Sequence, residues 1–161
     1  VIQHMRDAGI KVWVLTGDKI ETAINIGYSC KLIDNEMEMF IIDALSTGDI
    51  YAQLQTMTRQ SRKIGRSREK AVVIGGDSLT KILKAEGANK QKMQDKFTAL
   101  TDDAKTVLCC RVSPKQKADV VRLVREYKPT VTSLAIGDGA NDVNMILAAN
   151  IGVGIRGVEG Q

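Results

Sequence analysis

Aromatic residues are scarce, 4% of 161 positions, which argues against a surface that binds nucleic acid by stacking bases. Histidine occurs once, at His4, with no partner residue in view, and reads as surface. Cysteine occurs three times, at Cys30, Cys109 and Cys110, at spacings that match no zinc or thiol–disulfide motif. The adjacent pair lies in an apolar run and reads as two reduced thiols in a strand, implying a reducing compartment. No apolar run reaches the roughly 18 residues of a membrane helix, and no signal-peptide pattern opens the chain, so no membrane-spanning segment is expected. Internal repeats and low-complexity segments are also missing.

What is present is an ordinary globular balance, 43% hydrophobic and 26% charged, in a chain long enough to bury a core as a single domain over 1–161. The net charge of +4 is local, because Arg59 to Lys70 alone holds six basic residues and one glutamate. That run reads first as a solvated helix face or loop, second as a site for an anionic partner. The chain opens inside a helix-like stretch and stops after a strand, so both ends read as cut.

Periodicity alternates strands and helices. Residues 1–8 read as a helix tail stopped by Gly9, and 10–15 as a strand buried on both faces. Asp18 and Glu21 have the spacing of a helix start, with Ile20, Ala23, Ile24, Gly27 and Tyr28 on one face. Strands are expected at 37–42, 70–74 and 106–110. Helices are expected near 49–63, from Asp77 or Ser78 to Leu83, and at 90–100. Ser113, Pro114 and Gln116 predict a capped helix to Tyr127 with Val120, Val121, Val124 and Tyr127 inward. A buried strand over 132–136, a helix over 143–149 and a strand over 151–155 complete the chain. The alternation predicts an α/β fold, a Rossmann-like parallel sheet with helices on both faces. Ligands of such a sheet bind beyond the carboxyl ends of its strands.

Four segments reach that rim. Thr16-Gly17-Asp18 places a hydroxyl and amides at a helix start, where phosphate binds readily. Arg111 follows a strand, and Lys117 in the next first turn can reach phosphate as a compact cation. Gly137-Asp138-Gly139-Ala140-Asn141-Asp142 sets two carboxylates at a strand-to-helix turn, a donor set suited to Mg²⁺ completed by substrate phosphate. Taken alone, a Gly-Asp-Gly also reads as a plain turn, and a first-turn lysine as solvated surface.

In this order, these strings resemble the last three motifs of haloacid dehalogenase-like phosphotransferases. The fuller strings, Lys19, Glu21 to Cys30, Cys109 to Pro114 and Gln116-Lys117-Ala118, look like the phosphorylation domain of a P-type ATPase of the phospholipid-flipping subclass. The match is dense at both ends and thin between about 31 and 105. The resemblance implies that Thr16 hydrogen-bonds the transferring phosphoryl group, aided by the Gly17 amide, and that Lys117 neutralises its charge. It implies that Asp138 holds Mg²⁺, Asp142 supports the metal site, Asn141 contacts phosphate, and Asp18 and Arg111 lie near the nucleotide. Phosphoryl transfer needs mainly such positioning and charge neutralisation.

ATP and Mg²⁺ are the implied substrate and cofactor. The implied partners are a phospholipid substrate, the nucleotide-binding and membrane domains of the same polypeptide, and an accessory subunit; nucleic acid is not among them. The implied location is the cytosolic face of a membrane.

The family's nucleophile, an Asp in Asp-Lys-Thr-Gly-Thr, does not occur in the sequence. The chain therefore resembles the C-terminal part of a split phosphorylation domain, lacking the nucleophile-bearing central strand. Gly75 stands where flippases often have Asp, and Arg156 where Ser is usual. Two other readings are a stand-alone phosphatase of the same superfamily and a non-catalytic module that docks on lipid or protein through 59–70. In the family the missing strand lies between those ending at Thr16 and Gly137. Strand 10–15 is then expected to pair directly with 131–136, or the slot to be filled by another segment; partial unfolding is the third outcome.

The chain alone is expected to turn over neither ATP nor a generic phosphate ester. Turnover that disappears in Asp138→Asn would show that a carboxylate within the chain had taken the nucleophile's role.

Overall fold

The computed structural model describes residues 1–156. Its elements are α1 (Ile2–Asp7), β1 (Val12–Leu15), α2 (Ile20–Ser29), β2 (Glu38–Ile42), α3 (Thr47–Ile64), β3 (Lys70–Gly75) and α4 (Gly76–Leu83). They continue with α5 (Gly87–Asp102), β4 (Thr106–Cys110), α6 (Pro114–Tyr127), β5 (Leu134–Gly137), α7 (Val143–Ala148) and β6 (Ile151–Gly154). A 3₁₀ turn, Ala140–Asp142, leads into α7. The chain forms two compact units, Val1–Arg111 and a second beginning at Val112.

The first unit is a parallel sheet of order β1-β4-β3-β2 flanked by helices, the α/β architecture expected. Strand residues alternate between its faces. Ala71, Val73, Leu108 and Cys110 pack with Ala23 of α2 and with Ile33, and the half-buried Val12 and Val14 join them. The intervening Val72, Ile74, Val107 and Cys109 are as fully buried, as are Ile50 and Leu54 of α3, Leu79 and Ile82 of α4 and Phe97 of α5. Trp13 meets the Phe97 ring edge-on at 6.4 Å.

Two cations are buried in this unit. Lys70 donates to the Ser61 carbonyl at 2.8 Å, with Asp103 3.9 Å away. Arg6 of α1 donates to the Lys31 carbonyl at 2.8 Å and pairs with Glu69. Burial of either charge is tolerable only with such partners. Both sit where chain segments meet the amino-terminal ends of the strands.

Helix starts differ from expectation in two places. Lys19, not Asp18, is the N-cap of α2, and it makes no side-chain cap bond. The first helical residue of α4 is Gly76, and the Ser78 hydroxyl donates instead to the Ala44 carbonyl at 2.6 Å. In contrast, Ser113 and Gln116 form the predicted reciprocal box at the head of α6, with Pro114 in its first turn. The inward residues of α6 are Ala118, Val120 and Leu123, while Val121, Val124 and Tyr127 are half-buried.

In the second unit β5 and β6 pair in parallel through the crossover helix α7, Leu134 opposite Ile151 and Gly137 opposite Gly154. Ser133 and Asn150 fix the register at its start. The Asn150 amide oxygen accepts from the Ser133 backbone and hydroxyl, at 2.9 and 2.8 Å, and the Asn150 N–H donates to the Ser133 hydroxyl at 3.1 Å. Arg125 of α6 donates to the Ala148 carbonyl at the end of α7, 2.7 Å.

The expected pairing of β1 with β5 does not occur. β1 pairs with β4, β5 with β6, and the two belong to separate sheets. The premise that fails is burial. β1 is half-buried along its length, and Leu134 and Ile136 of β5 are exposed. Edge groups that water reaches do not incur the cost of buried unpaired ones.

Both strand cysteines are fully buried, whereas Cys30 is exposed. Burial pushes the Cys110 thiol up to about 11, with the nearby Asp18 and Glu21 carboxylates adding to the shift. Burial raises Cys109 further, with Cys110 adding. Neutral thiols are thus favoured in the folded state. The Cys110 contribution to stability is complete below the ordinary thiol range and lost as pH rises toward about 11, and that of Cys109 persists to higher pH. At pH 8 a thiol reagent should label Cys30 alone in the native protein and all three after denaturation. Rapid native labelling of a strand cysteine would contradict this packing.

Candidate functional site

Thr16, Gly17 and Asp18 leave the carboxyl end of β1. The Thr16 hydroxyl accepts from the Asp18 N–H and donates to its carboxylate, both at 3.1 Å, a side-chain turn that presets the loop. Arg111 follows β4 and donates its backbone N–H to the Asp18 carbonyl at 3.0 Å. Arg111 has φ +52°, a region costly for a non-glycine residue. The same backbone crosses over α4, where a Cβ at Gly76 would lie 2.2 Å from the Arg111 carbonyl oxygen. Only glycine fits there.

Of these residues Gly76 and Arg111 edge a cleft of about 510 Å³ at the carboxyl end of the sheet; Thr16, Gly17 and Asp18 do not line it. Lys19 and Arg111 face it together with Glu21, Asp43 and Asp77. Carboxylates outnumber cations, so the cleft is not a simple anion pocket. Lys19, Asp43, Gly76 and Asp77 were not read from sequence as site residues. The signal available was adjacency: β3 and β4 end side by side, which brings Gly75-Gly76 to Arg111.

Lys117, Asp138, Asn141 and Asp142 belong to the second unit. Lys117 donates from Nζ to Asp142 Oδ1 at 2.8 Å, with both side chains about seven-eighths buried. Asp142 Oδ2 accepts the Asp138 N–H at 3.2 Å, and the Asp142 N–H donates to the Gly139 carbonyl at 3.0 Å. Burial pushes the Asp142 carboxyl up, but the Lys117 bond and charge, with backbone N–H groups of the turn, outweigh it and hold it below the usual carboxylate range. A Cβ on Gly137 would lie 2.2 Å from Asp142 Cβ. Only glycine leaves room for that side chain. Asp138 and Asn141 are exposed. The sequence-predicted residues thus form two groups: Thr16, Gly17, Asp18 and Arg111 in the first unit, and Lys117, Asp138, Asn141 and Asp142 in the second.

No protein-family model matches the chain. A phospholipid-transporting ATPase of Schizosaccharomyces pombe is 49% identical over 172 residues, covering 96% of the chain. The chain is homologous to a segment of the phospholipid-transporting ATPases. A probable phospholipid-transporting ATPase of Arabidopsis thaliana is 47% identical over 171 residues, covering 99% of the chain. Phospholipid-transporting ATPase ID of Homo sapiens is 44% identical over 178 residues, covering 95%. The chain spans only 12% of the first relative's length and 14% of the other two.

Among the described residues, no group of three or more His, Cys, Asp or Glu side chains could hold a metal ion. The donor set that remains is the exposed Asp138 carboxylate, with Asp142 beside it already taken by Lys117 and a backbone N–H. That set fits Mg²⁺, which uses one or two carboxylates and keeps water or phosphate for the rest.

Asp142 has a sign that acid titration can check. Its depressed carboxyl contributes stability present above the ordinary carboxylate range and lost as pH falls through the lowered value. Lys117→Met should raise that value, shift acid unfolding of the second unit to higher pH, and cost roughly 1–3 kcal/mol at neutral pH through the orphaned carboxylate. An unchanged acid transition would contradict the ion pair.

Proposed function

We propose that the chain is part of the phosphorylation domain of a P-type phospholipid-transporting ATPase, that both units belong to that domain, and that it works on the cytosolic face of a membrane. The observation that carries this reading is the convergence of Lys117, Asp138 and Asp142 at the carboxyl end of β5, in a chain homologous to such pumps.

In the proposed reaction Thr16 and the Gly17 amide position the phosphoryl group passing between ATP and the pump's nucleophilic aspartate. The Thr16 hydroxyl must first exchange its Asp18 bond for phosphate, an exchange eased by the exposure of Asp18. Lys117 neutralises charge that builds on the transferring group, and Asn141 contacts phosphate. Asp18 and Arg111 lie toward the nucleotide. Asp138 holds Mg²⁺, and Asp142 supports that site while keeping Lys117 in place. When bound, the metal supplies charge neutralisation across the phosphate oxygens. Hydrolysis of the aspartyl-phosphate powers phospholipid movement, with the nucleotide-binding and membrane domains and an accessory subunit as partners.

Asp138 is the cleaner probe, because its side chain is exposed whereas Lys117 also carries a buried ion pair. In the full-length pump, Asp138→Asn should abolish Mg²⁺-dependent phosphoenzyme formation from ATP with thermal stability unchanged. In the chain itself, calorimetry should find weak Mg²⁺ binding that Asp138→Ala removes. Tight binding indifferent to Asp138→Ala, or a full-length Asp138→Asn pump that still phosphorylates normally, would sink the assignment.

A further inference from the structure

The basic run does not act as one patch. Arg68 is committed to Glu38 at 2.7 Å, Lys70 is buried against Ser61 and Asp103, and the run's one acid, Glu69, is taken by Arg6. What is left is Arg59, Arg62, Lys63 and Arg66, all exposed. Among the described residues none of these four side chains has an ion pair or hydrogen bond.

Arg59, Arg62 and Lys63 recur at i, i+3 and i+4 on the face of α3 opposite its buried Leu54 and Ser61, and Arg66 follows just beyond the C-cap Gly65. Like charges at that spacing repel. The helix dipole favours cations in the last turn, which accounts for Arg62 and Lys63. It does not account for Arg59, a turn earlier, or Arg66, beyond the cap. The one acid of α3, Asp49, lies at the other end in its first turn, too far to relieve the repulsion. Because the loop after α3 enters β3 at Lys70, the cluster lies at the amino-terminal end of the sheet. The cleft edged by Gly75, Gly76 and Arg111 lies at the other end.

We propose that Arg59, Arg62, Lys63 and Arg66 form a docking surface for the anionic phospholipid headgroups of a membrane. Gln60 and Gly65 between them and Ser67 just beyond are polar or small and exposed, and Ile64 is half-buried, so the surface offers mainly charge rather than a shaped or apolar contact. That suits a diffuse anionic lipid surface better than one folded partner. The choice of a membrane rests on the reading of the chain as part of a phospholipid-transporting pump. Contact there leaves the opposite, cleft-bearing end of the sheet open.

The test is co-sedimentation of the chain with phosphatidylcholine vesicles, with and without about one-third phosphatidylserine, at low and physiological salt. Binding should require phosphatidylserine and weaken with salt. It should fall about fivefold for each single neutralisation, such as Arg62→Gln, and vanish in R59Q/R62Q/K63Q/R66Q. Arg68→Gln, whose charge is already paired, should change little. Asp138→Asn should bind vesicles like the parent, so a failed phosphorylation assignment and a failed docking surface give separate results. Equal binding to uncharged vesicles, or binding undiminished in both the single and the quadruple variants, would overturn the proposal. So would stronger cluster-dependent binding to polyglutamate than to phosphatidylserine vesicles, which would indicate an acidic protein partner.

Discussion

Everything in the first unit depends on the pairing of β3 with β4. Residues 71–74 and 107–110 are almost wholly withdrawn from water, so their backbone groups must find partners in the ladder or forfeit about 1–3 kcal/mol each. Ala71 opposite Thr106 through Gly75 opposite Cys110 meets that demand, and β1 and β2 close the outer edges of the pair. Once the two strands are in register, their carboxyl ends are level. Arg111 and Gly75-Gly76 must then emerge side by side, whatever their side chains are for.

The outer strands obey a looser rule. β1, β5 and β6 are half-buried or exposed over much of their length, so water can serve groups that a protein partner would serve in a closed core. For this reason the sheets divide as they do, although the apolar character of 10–15 and 131–136 suggested fully enclosed strands. Apolar composition records what a strand can tolerate, and neighbours decide how much of it is hidden.

Sequence patterns revealed the alternation of elements, the strand positions to within about two residues, and the Ser113–Gln116 box, because each depends on near neighbours in the chain. They missed the N-cap of α2, where Thr16 engages the Asp18 carboxylate and Lys19 takes the cap position before Ile20. They also missed the pairing of Lys117 with Asp142, which are 25 residues apart. Both residues had been read separately, one toward phosphate and one toward metal, and their mutual neutralisation follows only once α6 and the turn before α7 are packed. The basic run illustrates the same limit. Six cations look equivalent in the sequence, but partners at Glu38, Ser61 and Asp103 engage two of them, and only Lys70 of the two is withdrawn from the surface.

The Lys117–Asp142 pair has a further consequence for any phosphate-handling role of the second unit. Asp142 is a resident anion bonded to the very ammonium that an incoming phosphoryl group would recruit. A visiting anion would share the ammonium with it and meet its negative charge, so net affinity is lower than an unengaged lysine would offer. When the anion departs, the carboxylate is still in place to recapture the lysine. The carboxylate thus acts as an internal competitor, one that would trade tight retention of a bound anion for its ready release.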